Sequence, residues 1–188
     1  MRLGVLVSGR GSNLEAVLDA GIRVAIVISN RPGVQALSVA STHGVPSVVL
    51  RRADFTDADA RDGAIGRTLA DAGVDLCLLA GYDQLLRPGY FAAFGGRTIN
   101  IHPSLLPAHG GRGMMGMAVH RSVLDAGDAE SGATIHEVTD QLDAGPILAQ
   151  SAVPVAAGDD AESLAARVLA EEHRLLVATL AELAVGGR

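Results

Sequence analysis

The sequence is poor in aromatic residues, with three Phe, two Tyr and no Trp among its 188 residues. Ala, Val and Leu must therefore fill the hydrophobic core, and the chain offers no aromatic surface on which single-stranded nucleic acid could stack. Positive charge is also scarce, because the formal net charge is −6 and no dense run of Lys or Arg occurs. A polyanion such as tRNA or duplex DNA is therefore a disfavoured partner, although local groups can still bind a small anion.

Cysteine and long apolar runs are scarce as well. The one cysteine, Cys77, lies in the apolar run 74–80 and can form no disulfide within the chain, so we expect a small buried side chain. The six His are scattered without the spacing of metal ligands, and we predict no metal site. The apolar run 3–7 is too short for the core of a signal peptide, and no run reaches the roughly 18 residues of a membrane span. We therefore expect a cytoplasmic protein with no membrane partner.

The composition that remains, 48% apolar and 19% charged with 23 Gly, is typical of a compact globular protein. We predict one domain over residues 1–188. Apolar runs alternate with amphipathic stretches, which predicts an α/β fold with a doubly wound, mostly parallel sheet, a C-terminal β-hairpin and a long closing helix. The predicted strands are 2–8, 24–29, 47–50, 74–80, 97–102, 133–138 and 147–155. The first predicted helix starts after residue 13. The other predicted helices cover 33–43, 57–72, 88–94, 117–126 and 161–185.

A glycine loop joins the first strand to the first helix and reads Ser8-Gly9-Arg10-Gly11-Ser12-Asn13. We expect Ser12 or Asn13 as the helix N-cap, with backbone N–H groups exposed where a phosphate binds. Leu14 replaces the third glycine of a dinucleotide fingerprint, and the Gly-Lys-Ser/Thr of a Walker A loop is absent. We interpret the loop as a cradle for a monophosphate, with a merely tight turn as the alternative. Asn30 and Arg31 could contact the phosphate that distinguishes NADP, so an NADP-dependent reductase is a further alternative.

A second polar pair ends the predicted strand 97–102. Asn100 and His102 stand two residues apart, so both side chains leave the strand on the same side. An amide N–H and an imidazole suit a carbonyl that becomes an oxyanion. The alternative is a strand end at which the two side chains hydrogen bond to the loop backbone.

Three motifs together resemble the folate-dependent formyltransferase family, in the branch that acts on glycinamide ribonucleotide (GAR). They are the glycine loop with Leu14, the segment 100–107 that reads N-I-H-P-S-L-L-P, and the segment 132–146 that contains D-Q-L-D-A-G-P. The match covers nearly the whole chain, in order and spacing. It implies a Rossmann-like formyltransferase fold with a phosphate-binding half at about 1–100 and a catalytic, folate-binding half at about 100–188.

The resemblance implies a reaction between two small molecules, 10-formyltetrahydrofolate as formyl donor and the amine of GAR as acceptor, without a metal, in a monomer or homodimer. It assigns the catalytic role to Asn100, His102 and Asp143. The substrate-binding residues that it implies are Gly11, Ser12, Asn13, Pro103 and, for the ribose, Glu172. The folate-binding residues that it implies are Gln84, Leu85, Leu86, Val138, Thr139, Asp140 and Asp143. His136 matches a family histidine that supports the loop, with a core or hydrogen-bonding role as the alternative.

The chemistry of this reaction explains the three catalytic residue types. An amine that attacks a formamide carbon builds negative charge on the formyl oxygen and positive charge on its own nitrogen. Asn100 and a protonated His102 would stabilise the oxyanion. Asp143 would keep His102 charged and accept the amine proton, directly or through water. An Asx turn before Gly145 is the alternative role of Asp143.

The chain departs from the family pattern at two places. Asp83 and Gln84 replace an apolar and a basic residue, and the segment 110–116 is longer and rich in glycine, so we expect no regular element there. Other family branches act on methionyl-tRNA or on water. The first of these usually has an added basic C-terminal domain, which we do not expect here. The deformylase that uses water commonly has a second His at the position of Pro103. A non-catalytic phosphosugar-binding domain is the alternative from another class.

Overall fold

The computed structural model describes residues 1–186, which form seven strands and six α-helices. The strands are β1 (Leu3–Val7), β2 (Val24–Ser29), β3 (Ser47–Val49), β4 (Leu76–Leu79), β5 (Arg97–His102), β6 (Glu130–Glu137) and β7 (Ile147–Pro154). The helices are α1 (Ser12–Asp19), α2 (Gln35–Thr42), α3 (Ala58–Asp71), α4 (Pro88–Ala93), α5 (Met117–Ala126) and α6 (Ala161–Gly186), and a single 3₁₀ turn covers Arg52–Asp54.

The strands form one sheet in the order β3-β2-β1-β4-β5-β6-β7. β1 pairs in parallel with β2 and β4, β2 pairs in parallel with β3, and β6 and β7 form an antiparallel hairpin. Helices connect the parallel strands, as a crossover between parallel strands requires. The predicted fold class, a doubly wound and mostly parallel sheet with a C-terminal hairpin and a long helix, is confirmed.

The chain divides into two compact units. The N-terminal unit comprises Met1–Ile99 and the described residues from Leu183 onward, and the C-terminal unit comprises Asn100–Glu182. In the N-terminal unit, every residue of β1 is buried, as expected for a parallel strand with both faces covered. Cys77 is fully buried in β4, and this burial raises the pKa of its thiol to about 12. Cys77 is therefore a core residue, as predicted.

The C-terminal unit has its own core under the hairpin. Val123 of α5, Val153 of β7, and Leu164 and Val168 of α6 form one cluster of buried side chains. Because these residues lie on α5, β7 and α6, the cluster joins the helices to the hairpin. The division of the single domain into a phosphate half and a folate half remains a prediction.

Several predicted boundaries differ from the observed ones. Helix α1 begins at Ser12 and is capped by Gly11, so the prediction of a Ser12 or Asn13 N-cap was wrong. Gly11 has φ 84°, and a Cβ placed on it would lie 2.7 Å from Ala36, so only glycine fits. Strand β6 begins at Glu130, three residues earlier than predicted, because Glu130 still pairs with Pro154 of β7. The segment 110–116 forms turns and no regular element, as predicted.

In residues 1–186, no helix combines the length and the apolar character needed to cross a membrane.

Candidate active site

The loop after β5 is fixed to the hairpin by one buried hydroxyl. Thr134 Oγ1 donates to the carbonyl of Ser104 at 2.6 Å, and it accepts from the backbone N–H of Leu106 at 3.0 Å and from Gln150 Nε2 at 2.9 Å. Ser104 Oγ in turn donates to the carbonyl of Ala108 at 2.7 Å. The backbone that follows His102 therefore has its polar groups paired inside the protein, which gives the loop a defined shape.

His102 ends β5 and is buried. Its Nε2 lies 2.9 Å from the carbonyl oxygen of His109. A carbonyl can only accept, so Nε2 carries a proton and donates it. The other ring nitrogen, Nδ1, lies 3.9 Å from Oδ2 of Asp143, which is the distance of an ion pair but not of a direct hydrogen bond. Nδ1 is therefore the nitrogen that remains free to exchange a proton.

Asp143 lies between two histidines. Its Oδ2 accepts from the backbone N–H of Gly111 at 2.8 Å, and its Oδ1 lies 3.7 Å from Nε2 of His136. The backbone of Asp143 has φ 52°, in the left-handed region that Asp and Asn tolerate better than other non-glycine residues. This hydrogen bond therefore joins the segment 110–116 to the carboxylate of Asp143.

Asn100 makes its contact with His136. Asn100 Nδ2 lies 3.1 Å from His136 Nε2, and His136 Nδ1 lies 2.9 Å from the carbonyl of Glu137. Since Nδ1 must donate to that carbonyl, a neutral His136 can accept the amide N–H at Nε2. Burial lowers the pKa of His136, and this effect outweighs the bond to Glu137 and the charge of Asp143, which raise it. His136 therefore takes the hydrogen-bonding role that the sequence left open, and it turns the amide of Asn100.

The predicted folate residues of the C-terminal unit lie in the loop 138–146 between β6 and β7. The ends of this loop are joined, because the N–H of Glu137 donates to the carbonyl of Pro146 at 2.9 Å. Val138 and Thr139 are half-buried and Asp140 is exposed. Leu142, which the sequence analysis did not single out, is 46% exposed at the loop surface. An exposed leucine of this size offers an apolar contact to a flat ring.

In the N-terminal unit, the predicted phosphate loop has the geometry of an anion site. The N–H of Glu15 already bonds to the carbonyl of Gly11, which leaves the N–H groups of Ser12 and Asn13 without partners inside the helix. Asn13 is buried, and its Oδ1 has no hydrogen-bond partner among the described residues. The N–H groups of Ser12 and Asn13 and the helix dipole favour a negative group at this end of α1, and Asn13 Oδ1 can accept a hydrogen bond.

Asp83 is a site feature that the sequence analysis named only as a departure. It accepts from Ser8 Oγ at 3.0 Å and from Asn30 Nδ2 at 2.7 Å, and it forms an ion pair with Arg31. Burial would raise the pKa of its carboxyl, but hydrogen bonds from Asn30, Gln84 and Ser8 and the charge of Arg31 hold the pKa below its usual value. Because Arg31 is already paired, its contact with an NADP phosphate is disfavoured.

The remaining predicted residues differ in their exposure, and they belong to both units. In the N-terminal unit Gln84 is exposed, Leu85 is 39% exposed and Leu86 is buried. In the C-terminal unit Pro103 is half-buried and Glu172 is buried in α6. Among the described residues, no group of three or more His, Cys, Asp or Glu is arranged to hold a metal ion.

Comparison with known proteins gives the family of the chain. Residues 1–180 match the model of the formyl transferase family. The chain belongs to this family. It is 38% identical to the phosphoribosylglycinamide formyltransferase of Escherichia coli over 93% of this chain and 83% of that protein. Its fold matches the crystal structure of glycinamide ribonucleotide transformylase 1 from Symbiobacterium toebii, with a TM-score of 0.92, 42% identity and coverage of 99% of this chain and 88% of that one.

Some relatives are much longer than this chain. The trifunctional purine biosynthetic protein adenosine-3 of Drosophila melanogaster is 42% identical over 98% of this chain, but the match covers only 14% of that protein. The chain thus spans about one seventh of such relatives. The resemblance that the three motifs indicate is confirmed at the level of the family.

Two parts of the candidate site were missed by sequence reasoning. One is the set of contacts around Asp83, whose partners lie 52 to 75 residues away along the chain. The signal was the position of Ser8, Asn30 and Asp83 after strands that pair in parallel, since the carboxyl ends of such strands meet at one edge. The other is His109, whose carbonyl orients His102 and which carried no motif of its own.

The tautomer of His136 gives a testable prediction. At pH 7, nitrogen NMR should show a neutral ring protonated at Nδ1, with a titration midpoint below the ordinary value of about 6.5. Because the pKa is lower in the folded state, the neutral ring stabilises the fold above about pH 6.5, and this stability is lost as the pH falls toward the folded pKa. The loss is at most about 1.4 kcal/mol for each pH unit.

Replacement of His136 by Gln keeps an acceptor for Asn100 but removes the titration. The free energy of unfolding, measured by urea at pH 7.5 and 5.5, should therefore fall less in His136→Gln than in the parent. An equal fall in both proteins, or a ring of His136 protonated at Nε2, would contradict the assignment.

Proposed function

We propose that this protein transfers the formyl group of 10-formyltetrahydrofolate to the amine of GAR, a step of purine biosynthesis. The observation that carries the proposal is the cluster of Asn100, His102 and Asp143 in the C-terminal unit, whose internal hydrogen bonds leave at least one polar group of each side chain for substrate. Membership of the formyl transferase family and the 38% identity to the E. coli phosphoribosylglycinamide formyltransferase support it.

The hydrogen bonds within the cluster determine which groups face the formyl oxygen. One N–H of the Asn100 amide is used by His136, so the second N–H is available for the oxyanion. His102 Nε2 is used by His109, so a proton on Nδ1 supplies the other donor. Donors that are fixed before the reaction lower the barrier because they need no reorganisation, and the loss of one typically costs about 3 kcal/mol.

Asp143 acts on the proton side of the same reaction. When the amine attacks the formyl carbon, a C–N bond forms and the attacking nitrogen becomes positively charged. A proton must leave this nitrogen before the bond between the formyl carbon and the folate nitrogen breaks. The carboxylate of Asp143 accepts the proton directly or through a water molecule. Its neighbour His102 can then donate the proton on Nδ1 to the departing folate nitrogen.

The binding residues divide between acceptor and donor substrates. The N–H groups at Gly11, Ser12 and Asn13 hold the phosphate of GAR, with Pro103 and Glu172 as further GAR contacts, Glu172 at the ribose. Gln84, Leu85, Leu86, Val138, Thr139 and Asp140 contact the folate, together with Asp143. Leu142 adds an apolar surface for the pterin. No metal takes part in this mechanism.

We propose a cytoplasmic location and a monomer or homodimer as the active form. The lone thiol of Cys77 is buried, which suits a reducing compartment where disulfides are rare. The acidic balance of the chain also fits small-molecule partners and not a nucleic acid.

One assay tests the reaction itself. The purified protein is incubated with 10-formyltetrahydrofolate, with and without GAR, and the release of tetrahydrofolate is followed. We expect release only when GAR is present, with formyl-GAR formed in equal amount. Full turnover without GAR would identify a deformylase, and no turnover with measurable GAR binding would identify a non-catalytic phosphosugar-binding domain.

A second prediction concerns the phosphate loop. Replacement of Gly11 by a larger residue would strain the backbone and clash with Ala36, so it would not isolate the binding role. Ser12→Ala keeps the backbone N–H groups of the loop and removes only a half-buried hydroxyl, which we expect to donate a further hydrogen bond to the phosphate. The KM for GAR should rise about tenfold or more, since a hydrogen bond to a charged group contributes roughly 1.5–3 kcal/mol, and the KM for the folate should change little. Ser41→Ala, at an exposed position of α2, is the matched control, and equal effects on both substrates would reject the assignment.

A third prediction concerns Asp143. Asp143→Asn keeps the shape and the tolerance of a left-handed backbone but removes the charge. We expect kcat to fall by about 100-fold or more, as for loss of a general base, with little change in GAR affinity. Because Asp143 and His102 act together, Asp143→Asn combined with His102→Ala should be little worse than the poorer single variant. Losses that multiply would show that the two residues act independently.

A further inference from the structure

Three hydrogen-bonded side chains, those of Ser122, His109 and Asp128, lie close to His102 in the C-terminal unit. The His109 ring has Nδ1 at 2.8 Å from Ser122 Oγ on α5 and Nε2 at 2.7 Å from Oδ2 of Asp128. The His109 side chain is only 13% exposed, whereas the Asp128 side chain is 41% exposed. None of these three residues belongs to the motifs that carry the family resemblance.

The backbone of His109 links this cluster to the candidate active site. His109 has φ 53°, in the left-handed region that non-glycine residues seldom adopt, and its carbonyl oxygen accepts the proton of His102 Nε2 at 2.9 Å. A left-handed residue persists only where its surroundings hold it. The two bonds to the ring of His109 are such a restraint, because they fix the side chain from both nitrogens.

We propose that Asp128, Ser122 and His109 form a positioning element for the proposed catalytic residue His102. By holding the His109 carbonyl against Nε2–H, the element keeps one proton on that nitrogen and leaves Nδ1 as the nitrogen that faces Asp143. The inference rests on the proposed function in that it assigns the proton-exchanging atom of the same site. Its structural part, the tautomer of His102, is measurable without any substrate.

The element is suited to this task because it does not depend on the charge of His109. Nε2 donates to the Asp128 carboxylate whether the ring is neutral or charged. The Ser122 hydroxyl can donate to a bare Nδ1 or accept from a protonated one. Both contacts therefore persist in either state of the ring, and the carbonyl that His102 needs stays in place.

The same residue types occur in the triad of serine hydrolases, and a cavity of about 340 Å³ lies beside His109 and Asp128. A hydrolytic role is nevertheless disfavoured by the position of Ser122. It lies inside α5, where the backbone N–H groups that an oxyanion would need are used by the helix itself. A restraint on the loop requires no such donors.

The test compares four variants with the parent by nitrogen NMR of the His102 ring and by steady-state kinetics. Asp128→Ala and His109→Asn remove the restraint, and Asn tolerates the left-handed backbone. Asp128→Asn keeps an acceptor for Nε2 of His109. Asp19→Ala is the matched control, because Asp19 pairs with the ring of His43 in the N-terminal unit at 3.2 Å.

In the parent we expect the neutral ring of His102 to be protonated at Nε2, which donates to the carbonyl of His109. In Asp128→Ala and His109→Asn, the neutral ring should populate the Nδ1–H tautomer as well. Their kcat should fall about 10- to 100-fold, since a displacement of ~1 Å can cost that much, while both KM values change little. Asp128→Asn should recover most of the activity, and Asp19→Ala should resemble the parent.

Three results would overturn the proposal. They are a parent ring protonated at Nδ1 alone, an unchanged His102 spectrum and kcat in Asp128→Ala, and equal losses in Asp128→Asn and Asp128→Ala. If Asp128→Ala does not fold, Ser122→Ala provides the same comparison with a smaller expected loss. A parent without formyl transfer but with the expected tautomer shifts would reject the proposed function and leave the positioning element intact.

Discussion

The C-terminal unit depends on one hydroxyl group, that of Thr134. It is fully buried and takes part in three hydrogen bonds, to the backbone of Ser104 and Leu106 and to the side chain of Gln150. These bonds attach the loop after β5 to both strands of the hairpin. Without them the loop would bury unpaired backbone groups, which costs about 1–3 kcal/mol for each group. The segment between His102 and His109 is thereby attached to the hairpin.

The sequence predicted those parts of the site that depend on local geometry. Asn100 and His102 share one side of β5 because a strand has a period of two, and residues 11–13 meet the start of α1 because a glycine loop precedes it. The cap of α1 was misjudged, since the close approach of Ala36 to Gly11 depends on packing between two helices. The contacts of Asp83 and the pair of His109 and Asp128 could not be predicted, because they join residues that only the folded chain brings together.

Two residues of the candidate site have left-handed backbones, Asp143 and His109. Each is fixed by bonds to its side chain: from Gly111 to Asp143, and from Ser122 and Asp128 to His109. Backbone strain of this kind typically costs about 1–3 kcal/mol for each residue and is found where function requires a particular orientation. Here it turns one carboxylate and one carbonyl toward the same imidazole.

The loop 138–146 has a closed base and an open tip. At its base, a Cβ on Gly145 would lie 1.9 Å from the carbonyl oxygen of Glu137, so no larger residue fits there. At its tip, Asp140, Gln141 and Leu142 are exposed and carry no buried contact that the fold needs. Mutations will therefore be tolerated very unequally along nine consecutive positions. During divergence or directed evolution, the tip can vary to suit a different pteridine while the base keeps the same length and path.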